Sequence, residues 1–92
     1  MSARVEVYVT TYCPYCTRAK MLLQRKGAAF TEIDVTHDLA KRKWLVVATG
    51  QHTVPQIFIN GVSIGGSDEL HLLERQGRLT SLLSEQPRPA AP

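Results

Sequence analysis

Val5-Glu6-Val7-Tyr8-Val9 alternates with period two and is rich in β-branched and aromatic residues, which predicts a strand with its valines on one face. From Pro14 the period changes. Tyr15, Ala19, Leu22 and Leu23 fall at helical spacing, Arg18, Lys20, Gln24 and Arg25 lie mostly between them, and Gly27 supplies a stop. Phe30 to Val35 is a second strand candidate, and a strand, helix, strand unit of this length makes a right-handed parallel crossover. Thr36, His37 and Asp38 offer caps for a second helix ending at Gly50. Its apolar positions split into two stripes, Ala40, Trp44, Val47 and Ala48 against Leu45 and Val46, which leaves Trp44 open to either core or surface.

Ile57-Phe58-Ile59, Asn60-Gly61 and Val62-Ser63-Ile64 form the clearest local pattern, because Asn-Gly tolerates the positive φ angles of a type I′ turn between paired strands. Gly65-Gly66 ends that hairpin. Ser67 is the predicted N-cap of a third helix, Asp68 and Glu69 suit its positive end, Leu70 and Leu73 face inward, and Gly77 closes it. A last short helix holds Leu79, Leu82 and Leu83. The order is βαβαββα, which predicts an α/β fold with a four-stranded mixed β-sheet flanked by helices. Residues 1–84 are expected to form one domain. Residues 85–92, with three prolines from Pro87 onward and no apolar period, are expected to be a disordered tail of no assigned function.

A chain of 92 residues with 43% hydrophobic content suits one compact domain with a modest core and is too small for two. The amino end enters the first strand pattern without the apolar stretch of a secretory signal, and the longest apolar run, Trp44 to Ala48, is far too short to span a membrane. A cytoplasmic location, or an organelle matrix, is therefore expected. There a cysteine pair is less suited to permanent stapling than to exchange. The net charge of +3 mildly favours anionic ligands, but the basic residues are dispersed, Lys41-Arg42-Lys43 is their only run, and no aromatics interleave with them, so neither a nucleic acid nor a membrane is an expected partner.

Both cysteines lie in Thr11-Tyr12-Cys13-Pro14-Tyr15-Cys16-Thr17, where the strand pattern gives way to the helical one. A C-x-x-C at a helix start, beside a βαβ pattern, is the arrangement of a thiol redox site. At the first turn, unpaired N–H groups and the helix dipole stabilise a thiolate, lowering a thiol from about 8.5 towards the roughly 3.5–7.5 range. Cys13 is thereby the expected nucleophile. Cys16, three residues on, shares its face of the helix and can attack a mixed disulfide on Cys13, while Pro14 at the first helical position gives up no hydrogen bond and stiffens the loop. Two other readings use the same residues: buried structural cysteines, and half of a zinc site completed by His37, His52 and His71. The histidines are far apart and lack the H-x3-5-H spacing, so no metal site is expected.

Cys13-Pro14-Tyr15-Cys16, Thr53-Val54-Pro55 and Gly65-Gly66-Ser67-Asp68, in that order and at those separations, resemble a dithiol glutaredoxin of the thioredoxin superfamily, with similarity running from about Val5 to Leu83. The resemblance implies a thioredoxin fold and a glutathione-dependent thiol–disulfide oxidoreductase that reduces protein–glutathione mixed disulfides and some protein disulfides. Glutathione would be a co-substrate, with no tightly bound cofactor, and the protein a monomer. The resemblance further implies a cis Val54-Pro55 bond that exposes the Val54 backbone beside Cys13, with Thr53 in the same loop. Gly66, Ser67 and Asp68 would receive the γ-glutamyl end, and Tyr15 would be an aromatic wall beside the sulfur; the plainer reading of Ser67 and Asp68 is helix capping, and of Tyr15 core packing. Two positions depart from the family pattern. Thr10 stands where many members carry a lysine, with Gln56, Arg42 or Lys43 as candidate replacements, and Ser67 stands where many have a third cysteine. The same resemblance leaves two rival functions: a dimer holding a glutathione-ligated [2Fe–2S] cluster, which Pro14 argues against, and a thioredoxin-like reductant recycled by a reductase.

Overall fold

A computed structural model describes residues 2–86. The chain runs β1 (Val5–Val9), α1 (Pro14–Arg25), β2 (Thr31–Asp34), α2 (Leu39–Thr49), β3 (Gln56–Ile59), β4 (Val62–Gly65), α3 (Ser67–Arg75) and α4 (Leu79–Ser84). The four strands form one sheet in the order β2-β1-β3-β4. β1 runs parallel to β2, as the crossover rule requires, and antiparallel to β3, which pairs with β4 through the hairpin. This is the mixed, helix-flanked sheet that the sequence pattern predicts. The expected tail lies outside the described residues from Pro87 onward.

Alternation along the two central strands sorts side chains between two cores. Val5, Val7, Val9, Ile57 and Ile59 point to one face and pack with Cys16, Ala19, Leu22 and Leu23 of α1, Leu70 of α3 and Leu79 and Leu83 of α4. Tyr8 and Phe58 point to the other, smaller core with Val35 and Leu45. Among the described residues α2 is the helix that packs on this second face, which resolves its two stripes: Leu45 is buried, Val47 is 86% exposed, and Trp44 is half-exposed. Trp44 lies across the Tyr8–Phe58 pair, its ring stacked 5.8 Å from Phe58 and tilted 5.6 Å from Tyr8. It shields the sheet without entering the core.

Local chemistry fixes the ends of these elements. The Asp38 carboxylate accepts the Lys41 N–H at 2.9 Å to cap α2, while Asn60 and Gly61 have φ of 52° and 81°, as a type I′ turn demands. Asn60 also accepts the Arg4 N–H at 2.8 Å on its side-chain oxygen and donates from its amide to the Glu85 carbonyl at 3.0 Å. One turn residue therefore ties the hairpin to both ends of the described chain. No helix among the described residues is long and apolar enough to cross a membrane.

Leu23 is fully buried where α1 meets the sheet, and a leucine truncated in such a core leaves a cavity that backbone relaxation only partly closes. Leu23→Ala is expected to lower unfolding stability by about 2–5 kcal/mol in urea titrations, with Leu72→Ala, half-exposed on α3, losing far less.

Candidate active site

β1 ends at Val9, and Thr10, Thr11 and Tyr12 carry the chain to the first turn of α1. Thr11 is pinned on the way. Its N–H donates to Thr36 Oγ1 at 2.8 Å, and the Thr36 hydroxyl and N–H donate to Asp34 Oδ1 at 2.6 and 2.8 Å. The segment before the cysteines is thus tied to the end of β2.

Cys13 is the N-cap of α1 and Pro14 its first helical residue. The Cys13 Sγ accepts the Cys16 N–H at 3.0 Å, in the way a serine or aspartate oxygen caps a helix, so an orphan helix donor points directly at the sulfur. The two residues form a disulfide with their Cα atoms 5.1 Å apart. They are not equivalent: Cys13 is partly exposed and Cys16 is 2% exposed within the core. The reading of both cysteines as inert core residues fails at Cys13. Among the described residues no group of three or more His, Cys, Asp and Glu side chains comes together to hold a metal ion.

The Val54-Pro55 bond is cis, and the Val54 carbonyl lies 3.7 Å from Cys13 Sγ. Gly66 stands opposite: a Cβ there would come within 3.2 Å of the Pro55 carbonyl, closer than packing readily allows, so glycine is what lets these two loops meet. Between them runs a cleft of about 640 Å³. Its lining includes Tyr15, Thr53, Val54, Pro55, Gly66, Ser67 and Asp68, which brings the seven non-cysteine residues expected to meet glutathione together, while the candidate replacements for the missing lysine lie outside it. Tyr15 is 55% exposed, so its ring is not core packing, and Arg18 sits with its guanidinium carbon 5.9 Å from the ring centroid.

Two expectations need correction. The N-cap of α3 is Gly66, and Ser67 is the buried first helical residue. Glu69, three residues on, reaches back to accept the Gly66 N–H at 2.8 Å, so the cap is made by a carboxylate from inside the helix and needs no side chain at the cap itself. Gln56 is fully buried and makes only local hydrogen bonds, so it does not replace the cation absent at Thr10. Arg42 and Lys43 do line a neighbouring groove of about 430 Å³ that shares Gln51, His52, Thr53 and Val54 with the cleft. In addition, Gly50, Gln51, His52 and Glu69 line the cleft, where the sequence analysis did not place them. For Glu69 the signal was present in the spacing Gly66-x-x-Glu69; for the others only adjacency to Thr53 pointed there.

An accessible thiol at a helix N-terminus, a buried partner three residues on and a cis-proline loop beside them define a dithiol oxidoreductase on a thioredoxin fold. The comparisons narrow this. Residues 5–64 match the family profile for glutaredoxin. The chain is 51% identical over 80 residues to a glutaredoxin of Pseudomonas aeruginosa, covering 87% of this chain and 95% of that one, and 47% identical over 81 residues to glutaredoxin 3 of Escherichia coli strain K12, covering 88% and 98%. Among solved structures it resembles a buckwheat glutaredoxin–glutathione complex (TM-score 0.84, 36% identity, covering 89% of this chain and 77% of that one) and the glutaredoxin of Brucella melitensis (TM-score 0.81, 48% identity, covering 89% of each). The chain belongs to the glutaredoxin family, and it is a glutathione-dependent thiol–disulfide oxidoreductase.

The tether behind the cysteines titrates. Hydrogen bonds from the Thr36 hydroxyl and N–H, with lesser help from Thr11 and His37, hold the Asp34 carboxyl below the usual carboxylate range against a smaller opposing effect of desolvation. A carboxylate depressed on folding stabilises the fold above its unfolded pKa, near 3.9, and that contribution fades as pH falls through the lower folded value. Urea midpoints measured from pH 7 down to 2.5 are expected to fall more steeply at the acid end for the wild type than for Asp34→Asn.

Proposed function

We propose that the cleft between the Thr53-Val54-Pro55 loop and the start of α3 binds the glutathione moiety of a mixed disulfide, and that Cys13 is the atom it is delivered to. The observation that carries this reading is the convergence of Tyr15, Thr53, Val54, Pro55, Gly66, Ser67 and Asp68 on one cleft, with the Val54 carbonyl 3.7 Å from Cys13 Sγ. The Val54 backbone edge offers an extended tripeptide strand-like hydrogen bonds. The first-turn N–H groups of Ser67 and Asp68 have no acceptor within α3 and suit the γ-glutamyl carboxylate, and the Asp68 side chain suits the adjacent ammonium. Arg42 and Lys43, along the groove that continues past Val54, are the cations within reach of the glycyl carboxylate. The relative from buckwheat is a glutathione complex, and it shares this fold at 36% identity.

The Cys13 thiolate attacks the glutathione sulfur of a protein–glutathione disulfide. The S–S bond breaks, the protein leaves as a thiolate that takes a proton, and Cys13 carries the glutathionyl group. A second glutathione thiolate then attacks that sulfur, giving glutathione disulfide and restoring the Cys13 thiolate. With a protein disulfide, the mixed disulfide on Cys13 is resolved by Cys16, whose attack yields the intramolecular disulfide. Burial of Cys16 keeps it from external disulfides and limits it to this second role. In this reading residues 1–84 are the catalytic domain of a monomer that works in a reducing cytoplasm on glutathionylated and disulfide-containing proteins, with glutathione as co-substrate and no tightly bound cofactor.

Cys13→Ser is expected to lower turnover of a glutathionylated peptide on the order of 1,000-fold or more, as loss of a nucleophile does, whereas Cys16→Ser keeps most of it. Steady-state assays coupled to glutathione reductase measure both. Equal loss in the two variants contradicts the division of roles, and wild-type turnover that requires a thioredoxin-type reductase in place of glutathione contradicts the assignment of the cleft.

A further inference from the structure

We infer that Gln56 is a positioning residue for the reaction: its buried carboxamide fixes the loop that carries Val54 to the central strand and thereby sets the backbone edge that glutathione meets. The inference rests on the glutathione reading of the cleft. Gln56 opens β3 and is paired in register with Tyr8 of β1, so its own backbone belongs to the middle of the sheet. Its side chain is fully buried. From there Nε2 donates back across the cis-proline turn to the Thr53 carbonyl at 2.9 Å and to Gln51 Oε1 at 3.0 Å, with Thr53 Oγ1 at 3.4 Å. Apolar packing holds the far end of the loop, where Val54 rests against both cores and Pro55 is buried, but its exposed part has few hydrogen bonds besides these. Gln51, His52 and Thr53 are exposed, and no backbone–backbone hydrogen bond among the described residues involves positions 51–55. The Gln51 N–H is held by Thr49 Oγ1 at 3.1 Å, so Thr49 secures the start of the loop and Gln56 its end, one residue from Val54.

The same amide is a poor choice for stability alone. Its Oε1 is buried and has no hydrogen-bond partner, and a buried acceptor left unpaired destabilises the fold. An apolar side chain of the same length removes that cost and fills the same space. What it cannot do is hold Thr53. Gln56 therefore separates fold from function, and Gln56→Met tests the separation.

For Gln56→Met the expected result with a glutathionylated peptide is a KM raised about three- to tenfold, the worth of one or two net hydrogen bonds, with kcat changed less than about twofold and the thermal midpoint equal or higher. An unchanged KM in an otherwise active protein overturns the inference and leaves the glutathione reading standing, as does a KM rise accompanied by a comparable fall in kcat and a lower thermal midpoint, which marks a structural residue. A wild type that glutathione cannot drive overturns both. Gln51→Ala, at an exposed position where truncation leaves no cavity, removes one anchor and gives a second test. Its KM increase is expected to be smaller in the Gln56→Met background, the remainder coming from Gln51's own place in the cleft lining, and an increase of equal size in both backgrounds shows no coupling between the two residues and overturns the inference.

Discussion

The hydrogen bond from the Cys16 N–H to Cys13 Sγ is the interaction on which the rest of the site depends. It makes a sulfur the cap of α1, so one of the donors that every helix leaves unpaired at its start is spent on a reactive atom. The sheet serves that placement. β1 must end at Val9 for three residues to bring Cys13 to the helix start, and the Asp34–Thr36–Thr11 chain keeps those residues from drifting. The same turn sets the two thiols apart chemically, because one helical turn inward is the difference between a partly exposed residue and one packed against the valines of β1.

A thiol at a helix start is reactive towards many disulfides; selectivity comes from what is brought up beside it. Two segments distant in sequence do this, and each is held by an internal contact. Gly66 approaches the Pro55 carbonyl without a Cβ, and Glu69 folds back on the Gly66 N–H. A Cβ at Gly65 would come within 2.7 Å of Glu69 Oε1, and its φ of 110° already favours glycine, so the Gly65-Gly66 pair is needed both for the turn out of β4 and for the carboxylate that caps α3. On the opposite wall, Gln56 plays the corresponding part for Thr53. Each wall of the cleft is thus braced from a regular element, α3 on one side and β3 on the other.

Much of this was legible in the residues. Period-two alternation in β1 and β3 and the Asn60-Gly61 turn announced the sheet, and the Cys13–Cys16 spacing at a change of period announced the site, because these are local patterns read off neighbouring positions. What stayed hidden depends on contacts across the fold. The buried face of α2 was ambiguous because that helix covers only a small core, where one buried leucine suffices and Trp44 remains half-exposed. The cap of α3 was misplaced by one residue because Ser67 is a good cap in isolation, whereas Glu69 makes a cap of Gly66. Gln56 looked like a polar candidate for the cleft and proved to be buried behind it, a distinction that rests on strand pairing rather than on residue type.

The most direct test of the account is a map of backbone amide chemical shifts before and after Cys16→Ser is converted to its Cys13–glutathione mixed disulfide. The account predicts that the largest changes away from the cysteine itself fall at Val54 on one wall and at Ser67 and Asp68 on the other. Changes confined to Tyr12–Thr17, with residues 53–55 and 66–68 unmoved, would contradict it.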